Sequence, residues 1–281
     1  MKLVTFTRVQ SAEIGVVING TAIAPLGHLA PDMIALIANW DNVRPKVEAL
    51  AASPEETVDI ASVRLLAPVP RPGKIFAIGL NYADHIEETK LPTPTAQIWF
   101  TKAGTAVNGP FDPVQLPRGC MTVDYEAEMV VVIGRGGRHI SREDARSHVF
   151  GYCVGNDVSE RMWQMKTPQF CLGKSFDTHA PFGPWITTAD EAGDVHALGL
   201  RCLVNGESRQ MSNTRHLIFS IWDQIAELSQ VMTLEPGDVF YSGTPGGVGA
   251  AMQPPRFLQA GDVVRCEIDG LGHIENVFAV E

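Results

Sequence analysis

The stretch Asp124-Tyr-Glu-Ala-Glu-Met-Val-Val-Val-Ile133 decides how this chain is read. Its second half is apolar and mostly β-branched, which predicts a strand running into a core. Residues i and i+2 of a strand share a face. Glu126 and Glu128 therefore stand side by side next to an apolar run. Like charges so close repel, and burying them is costly unless something compensates. A hard divalent cation with oxygen ligands would do so. The ordinary alternative is an edge strand whose glutamates face water. A third carboxylate, Asp157, follows a second strand-like run, Val149-Phe-Gly-Tyr-Cys-Val-Gly155.

Around that stretch the composition is ordinary globular material. The chain has 281 residues, 45% hydrophobic and 19% charged, with a net charge of -10. That length suits one large domain, or one large and one small. No basic block or stripe occurs, which argues against nucleic acid as a partner. An acidic protein that takes an anionic substrate must build a local positive site, from a metal or a few Lys/Arg. The five cysteines form no CxxC pair, which argues against a disulfide framework or structural zinc and predicts a reducing compartment. The N-terminal residues Met1–Arg8 lack the apolar run of a secretory signal. No apolar stretch approaches the roughly 20 residues of a membrane span. The expectation is a cytoplasmic protein with no membrane partner.

Residues 1–70 read as a small α+β domain. Leu3–Thr7, Ile14–Ile18 and Thr21–Ala24 are predicted strands, Asn19-Gly20 a hairpin turn, and Asp32–Ala51 helical. Pro68, Pro70, Pro72 and Gly73 mark a boundary. Residues 71–281 are predicted mainly β, of sandwich or roll type. Exceptions are a short helix over Asn81–Lys90, a Pro-rich loop from Leu91, and a longer helix over Leu217–Met232 with apolar residues at helical spacing.

Several signatures fail. Gly173-Lys174-Ser175 resembles the end of a P-loop, but Pro168 stands where its first glycine belongs. No GxGxxG is completed. Gly151-Tyr-Cys153-Val-Gly155 has the spacing of a nucleophile elbow, but its β-rich context makes Cys153 a small apolar strand residue. Weaker signals remain. His85 and Glu88 share a helical face, and a carboxylate beside His suits a general base; on spacing alone, a routine polar pair on a surface helix is the better reading. Lys174 could stabilise a developing enolate or be a solvated lysine. The loop Ser242-Gly-Thr-Pro-Gly-Gly-Val-Gly249 offers amides and the Thr244 hydroxyl to a carboxylate, or is a plain turn.

Taken together, these stretches resemble the fumarylacetoacetate hydrolase family. The matches are Ile78-Gly-Leu-Asn-Tyr-Ala-Asp-His85, Asp124-Tyr-Glu-Ala-Glu128, Gly155-Asn-Asp157, Gly173-Lys-Ser-Phe-Asp177, Pro181-Phe-Gly-Pro184 and Leu234 through Gly249, in the family's order and spacing. The resemblance implies a mixed β-roll, usually a homodimer. It implies Mg²⁺ or Mn²⁺ on Glu126, Glu128 and Asp157, and His85 and Glu88 on a mobile lid. It further implies Lys174 facing substrate and Gln164 orienting the attacking water. Tyr82, Arg161, Gly243 and Thr244 are the candidate substrate contacts. Met162 and His179 depart from the family pattern and mark where this pocket would differ.

The favoured expectation is metal-dependent hydrolysis of a 2,4-diketo acid (an acylpyruvate) to pyruvate and a carboxylic acid. Glu88 would orient His85, His85 would deprotonate water, and the departing pyruvate enolate would be stabilised beside the metal and Lys174. Decarboxylation of oxaloacetate or a related β-keto acid, or isomerisation, is the alternative on the same site. A non-catalytic keto-acid binder is a further one, which retention of His85, Glu88 and Lys174 disfavours.

Overall fold

In a computed structural model, which describes residues 1–8, 11–90 and 92–281, the decisive stretch becomes the strand Ala127–Ile133, buried along its whole length. It lies between the strands Val149–Asn156 and Val239–Tyr241 in a twelve-stranded sheet. Met129, Val131 and Ile133 pack on one side, in a core shared with Val264, Ile274 and Phe278 of a second, five-stranded sheet. Val130 and Val132 point the other way, into a core with Leu3, Leu36 and Val47. Burial of both faces explains why the sequence shows a continuous apolar run rather than alternation.

The architecture is mainly β with few helices, and its strand directions are mixed. Most neighbours are antiparallel, but Val239–Tyr241 pairs parallel to Ile75–Gly79, and Gly272–Val280 parallel to Val114–Leu116. The predicted hairpin is present, with Asn19 and Gly20 both at positive φ and Ile18 opposite Ala22. The proline-rich boundary falls between the strands Arg64–Leu66 and Ile75–Gly79. The N-terminal strands nevertheless continue the large sheet, through Lys2–Thr7 against Ala180–Thr188.

Two helices differ from expectation. Asp32–Ala51 is two helices, Met33–Ala38 and Trp40–Ala52, separated where Asn39 leaves the helical region; Pro45 sits inside the second. The helix predicted over Leu217–Met232 runs only from Ile221 to Val231. Ser220 and Asp223 close a capping box there, which fixes the start. The short helix expected over Asn81–Lys90 is Ala83–Thr89. In the Pro-rich loop, Leu91 lies outside the described residues.

Candidate active site

Strand register assembles the three carboxylates. Ala127 pairs with Asn156 and Glu128 with Gly155, so Asp157 leaves its strand beside Glu126. The Asp157 amide donates to the Glu126 carbonyl at 2.8 Å, and the Glu126 amide to Asn156 Oδ1 at 2.8 Å. Glu126, Glu128 and Asp157 are all buried, and their ligand oxygens lie within 4.8 Å of one another. Gly155, opposite Glu128, has no room for a side chain: a Cβ there would stand 2.5 Å from Val130 Cγ2 and 2.6 Å from the Tyr241 ring. Glu128 Oε2 accepts the Gly243 amide at 2.6 Å.

Three cations surround the cluster. Lys174 Nζ donates to Glu126 Oε2 at 2.5 Å and Asp157 Oδ2 at 2.7 Å. It ends the short helix Cys171–Lys174, whose Gly173 presses against the backbone of Gln164 in Arg161–Gln164. Lys102 Nζ contacts Asp157 Oδ1 at 2.5 Å, fully buried. Arg161 reaches Glu126 Oε1 at 2.7 Å and Gln164 Oε1 at 2.9 Å, and grips Asp124 through two of its nitrogens. Asp124 also accepts the amides of Gly249 and Ala250, at 2.8 and 2.9 Å. It thereby ties the glycine-rich loop to Arg161.

The electrostatics split the two glutamates. Burial opposes the charge of Glu126, but Lys174 and Arg161 outweigh it and pull the carboxyl down to about 2. Burial, then the charges of Asp157 and Glu126, push Glu128 well above the usual carboxylate range. Burial lowers Lys102 despite Asp157. For Lys174 the carboxylates Asp157 and Glu126 overcome burial, and its pKa rises.

These residues fit a divalent cation. The donors are all hard oxygens converging on one point. Four carboxylates (Asp124, Glu126, Glu128, Asp157) face three cations (Lys102, Arg161, Lys174), which formally leaves one negative charge. A divalent cation would leave one positive charge, which the carboxylate of a 2-keto acid would neutralise.

The helix Ala83–Thr89 brings the predicted dyad together: His85 Nδ1 lies 3.5 Å from Glu88 Oε2. Both Glu88 oxygens accept the Gly247 amide at 3.0 Å, fastening the helix to the glycine-rich loop. Asp84 accepts from the Ser212 hydroxyl and adds a second tether.

Among the candidate substrate contacts, Gly243 uses its amide on Glu128. The Thr244 hydroxyl donates to the Ala127 carbonyl at 3.0 Å and accepts from Gln210 at 2.9 Å. Tyr82 is fully buried, and its hydroxyl has no hydrogen-bond partner among the described residues. Met162 is exposed. His179 is buried against the Gln115 carbonyl at 2.9 Å, and burial pushes its pKa down to about 3. Cys153 lies inside the strand Val149–Asn156, and burial raises its thiol, so no nucleophile elbow exists there.

Sequence reasoning missed Lys102. Locally it is a lysine after an apolar strand, and its partner Asp157 is 55 positions away. Asp124 was visible in the decisive stretch, but nothing in its spacing signals the five hydrogen bonds it collects.

Residues 74–279 match the fumarylacetoacetate (FAA) hydrolase C-terminal family model. An oxaloacetate tautomerase of Xenopus laevis, named as mitochondrial, is 50% identical over 218 residues, covering 77% of this chain and 68% of that protein. One from Bos taurus is 42% identical over 264 residues, covering 92% and 84%. Among solved structures, maleylpyruvate hydrolase from Sphingobium sp. SYK-6, in complex with manganese(II) and pyruvate, superposes with TM-score 0.85 at 36% identity, covering 100% of this chain and 99% of that one. Fumarylacetoacetate hydrolase from Exiguobacterium antarcticum gives 0.86 at 36%, covering 100% of both. No helix among the described residues is long and apolar enough to cross a membrane. The mitochondrial names of the relatives leave the cytoplasmic expectation without support. By family model, by curated relatives and by fold, this chain is a member of the fumarylacetoacetate hydrolase family of hydrolases, isomerases and tautomerases.

Proposed function

We propose that this protein moves a proton at carbon 3 of a metal-held 2-keto acid, with keto–enol tautomerisation of oxaloacetate as the reaction. One observation carries the reading: Lys174 bonds into the buried cluster of Glu126, Glu128 and Asp157, and the loop whose Gly243 amide holds Glu128 also holds Glu88, the partner of His85, through its Gly247 amide. The sequence alone favoured hydrolysis, with oxaloacetate as the substrate of the alternative. The 50% identity to an oxaloacetate tautomerase moves that substrate forward, with tautomerisation as the chemistry.

A Mg²⁺ or Mn²⁺ ion on the three carboxylates would supply a Lewis acid for the 2-keto oxygen. His85 takes a proton from carbon 3, and Glu88 beside its other ring nitrogen orients the ring for that transfer. The electron pair of the broken C–H bond moves into the carbonyl, leaving negative charge on the C2 oxygen. The Lys174 ammonium stabilises that charge. The proton taken by His85 is returned, through water, to that oxygen to give the enol, and the reverse steps restore the ketone. Arg161 and Lys102 hold Glu126 and Asp157 in place.

A second reading is hydrolysis of an acylpyruvate, supported by the likeness to maleylpyruvate hydrolase and by Gln164 held at Arg161. There His85 takes its proton from water, hydroxide attacks C4, and the C3–C4 bond breaks to release the pyruvate enolate.

The test is one preparation, stripped of metal and reloaded with Mg²⁺ or Mn²⁺. Enol absorbance of oxaloacetate is followed beside pyruvate release from a panel of 2,4-diketo acids. Metal-dependent tautomerisation without pyruvate release is expected. Pyruvate release from a diketo acid with no accelerated tautomerisation would replace the first reading by the second. Oxalate binding with no turnover at all would make the protein a binder.

A further inference from the structure

The motif Gly79-Leu-Asn-Tyr82 contains a residue that the chemistry above does not use. Asn81 is fully buried. Its Nδ2 donates to the Ser242 carbonyl at 2.8 Å and to the Phe219 carbonyl at 3.1 Å. Its Oδ1 accepts the Phe219 amide at 2.8 Å, and its own carbonyl accepts the Ile218 amide at 2.9 Å. One side chain thus joins three segments distant in sequence: the entry to the helix Ala83–Thr89, the lead-in to the helix Ile221–Val231, and the end of the strand Val239–Tyr241.

Two details show that the junction is tight. Leu80, just before it, has φ of 54°, a left-handed backbone that a leucine adopts only when its surroundings impose it. Gly243, φ 106°, packs so close that a Cβ on it would lie 2.7 Å from the Asn81 Cβ. Gly243 is also the residue whose amide holds Glu128.

We infer that Asn81 is a positioning residue coupling the helix that bears His85 and Glu88 to the amide that holds Glu128. The Ser242 carbonyl and the Gly243 amide are the two ends of one peptide link. Asn81 orients that link from one side and Glu128 receives it on the other. The same asparagine fixes where the helix leaves the sheet. Movement of the helix base and of the Glu128 donor is therefore one movement. The inference rests on the proposed reading of His85 and Glu128, but its main readout does not need turnover.

The experiment compares amide hydrogen exchange and Mn²⁺ titration in wild type, Asn81→Asp and Gly243→Ala. Asn81→Asp keeps the size and the Oδ1 acceptor but turns both Nδ2 donors into an acceptor facing two carbonyls. Exchange should rise about tenfold in 83–89 and in 243–247 together, and Mn²⁺ affinity should fall about tenfold, the scale of a lost buried hydrogen bond. The sheet strands 199–204 and 263–268 should exchange as in wild type. Gly243→Ala presses on Asn81 from the other side, so it should raise exchange in 83–89, a segment it does not alter. Faster exchange at 217–221 alone, with Mn²⁺ affinity within about twofold of wild type, overturns the inference. So does a Gly243→Ala protein whose 83–89 segment is unchanged, which decides the matter if Asn81→Asp does not fold. A wild type that binds no Mn²⁺ sinks the proposed function, while the exchange comparison still judges Asn81.

Discussion

Gly173→Ala should disable the site through Lys174 while leaving the fold standing. A Cβ at Gly173 would lie 2.2 Å from the backbone nitrogen of Gln164 and 2.5 Å from its Cα. These are main-chain atoms, so no side-chain rotation relieves the clash. Reaching an ordinary contact of 3.4 Å requires the two short helices to part by about 1.2 Å. Lys174 is the next residue, and its bonds to Glu126 and Asp157 are 2.5 and 2.7 Å long. A displacement of that size takes both beyond the hydrogen-bonding limit of about 3.2 Å. The packing cost should be about 1–3 kcal/mol, which a domain of this size survives. A catalytic group misplaced by about 1 Å typically costs about a hundredfold in rate, and kcat should fall by that much. The assay is kcat and KM of the Mn²⁺-loaded enzyme, with melting temperature recorded on the same preparation. Lys174→Met should show a loss of similar size, and the double variant should be no worse than Lys174→Met alone. A Gly173→Ala enzyme with wild-type kcat would refute the reasoning. So would a double variant whose losses simply multiply.

Other predictions test separate parts of the site. His85→Ala should lower kcat by roughly 10²–10⁴, the usual worth of a general base, while Mn²⁺ and oxalate binding by calorimetry survive; unchanged kcat would remove the dyad from the mechanism. Because burial, Asp157 and Glu126 raise the Glu128 carboxyl well above the usual carboxylate range, a cation competes there with a proton, so Mn²⁺ affinity should climb with pH, by up to about tenfold per unit. Glu128→Gln should weaken binding and flatten that slope, and a pH-independent wild-type affinity would contradict it. Family resemblance leads us to expect a homodimer, which light scattering reporting a 30.5 kDa species at every working concentration would exclude.

What was legible in the sequence was what strand geometry alone determines. Glu126 and Glu128 share a face because they are two apart, and the apolar run behind them announces burial on both sides. Asp157 was legible for the same reason, as a carboxylate at the end of a second such run. What was not legible depends on contacts made across long separations. Lys102 is buried because Asp157 receives it, and nothing in its neighbours' periodicity records that. The helix expected over Leu217–Met232 starts instead at the Ser220–Asp223 capping box, and the Ile218 and Phe219 amides ahead of it bond to Asn81, far upstream. Asn39 interrupts the first predicted helix at a residue that periodicity alone did not single out, whereas Pro45, the visible breaker, sits within one.

The site divides into two halves with different mechanical support, and that division bears on why relatives of this chain carry different reaction names. Glu126, Glu128 and Asp157 stand at the ends of two central strands buried on both faces, and three buried or nearly buried cations brace them. On the proposed reading that half would hold a 2-keto acid and accept charge on its keto oxygen, which tautomerisation, decarboxylation and retro-Claisen hydrolysis all require. His85 and Glu88 stand instead on a seven-residue helix tied to a glycine-rich loop through the Gly247 amide. A helix that short is marginal by itself, so its position depends on Asn81, Asp84 and Glu88. On the proposed reading, this second half decides whether a water or carbon 3 reaches His85 first. Substitutions that convert one reaction into another should therefore lie in 80–90 and 242–251. Substitutions in the strand pair that carries the carboxylates should lower every activity together.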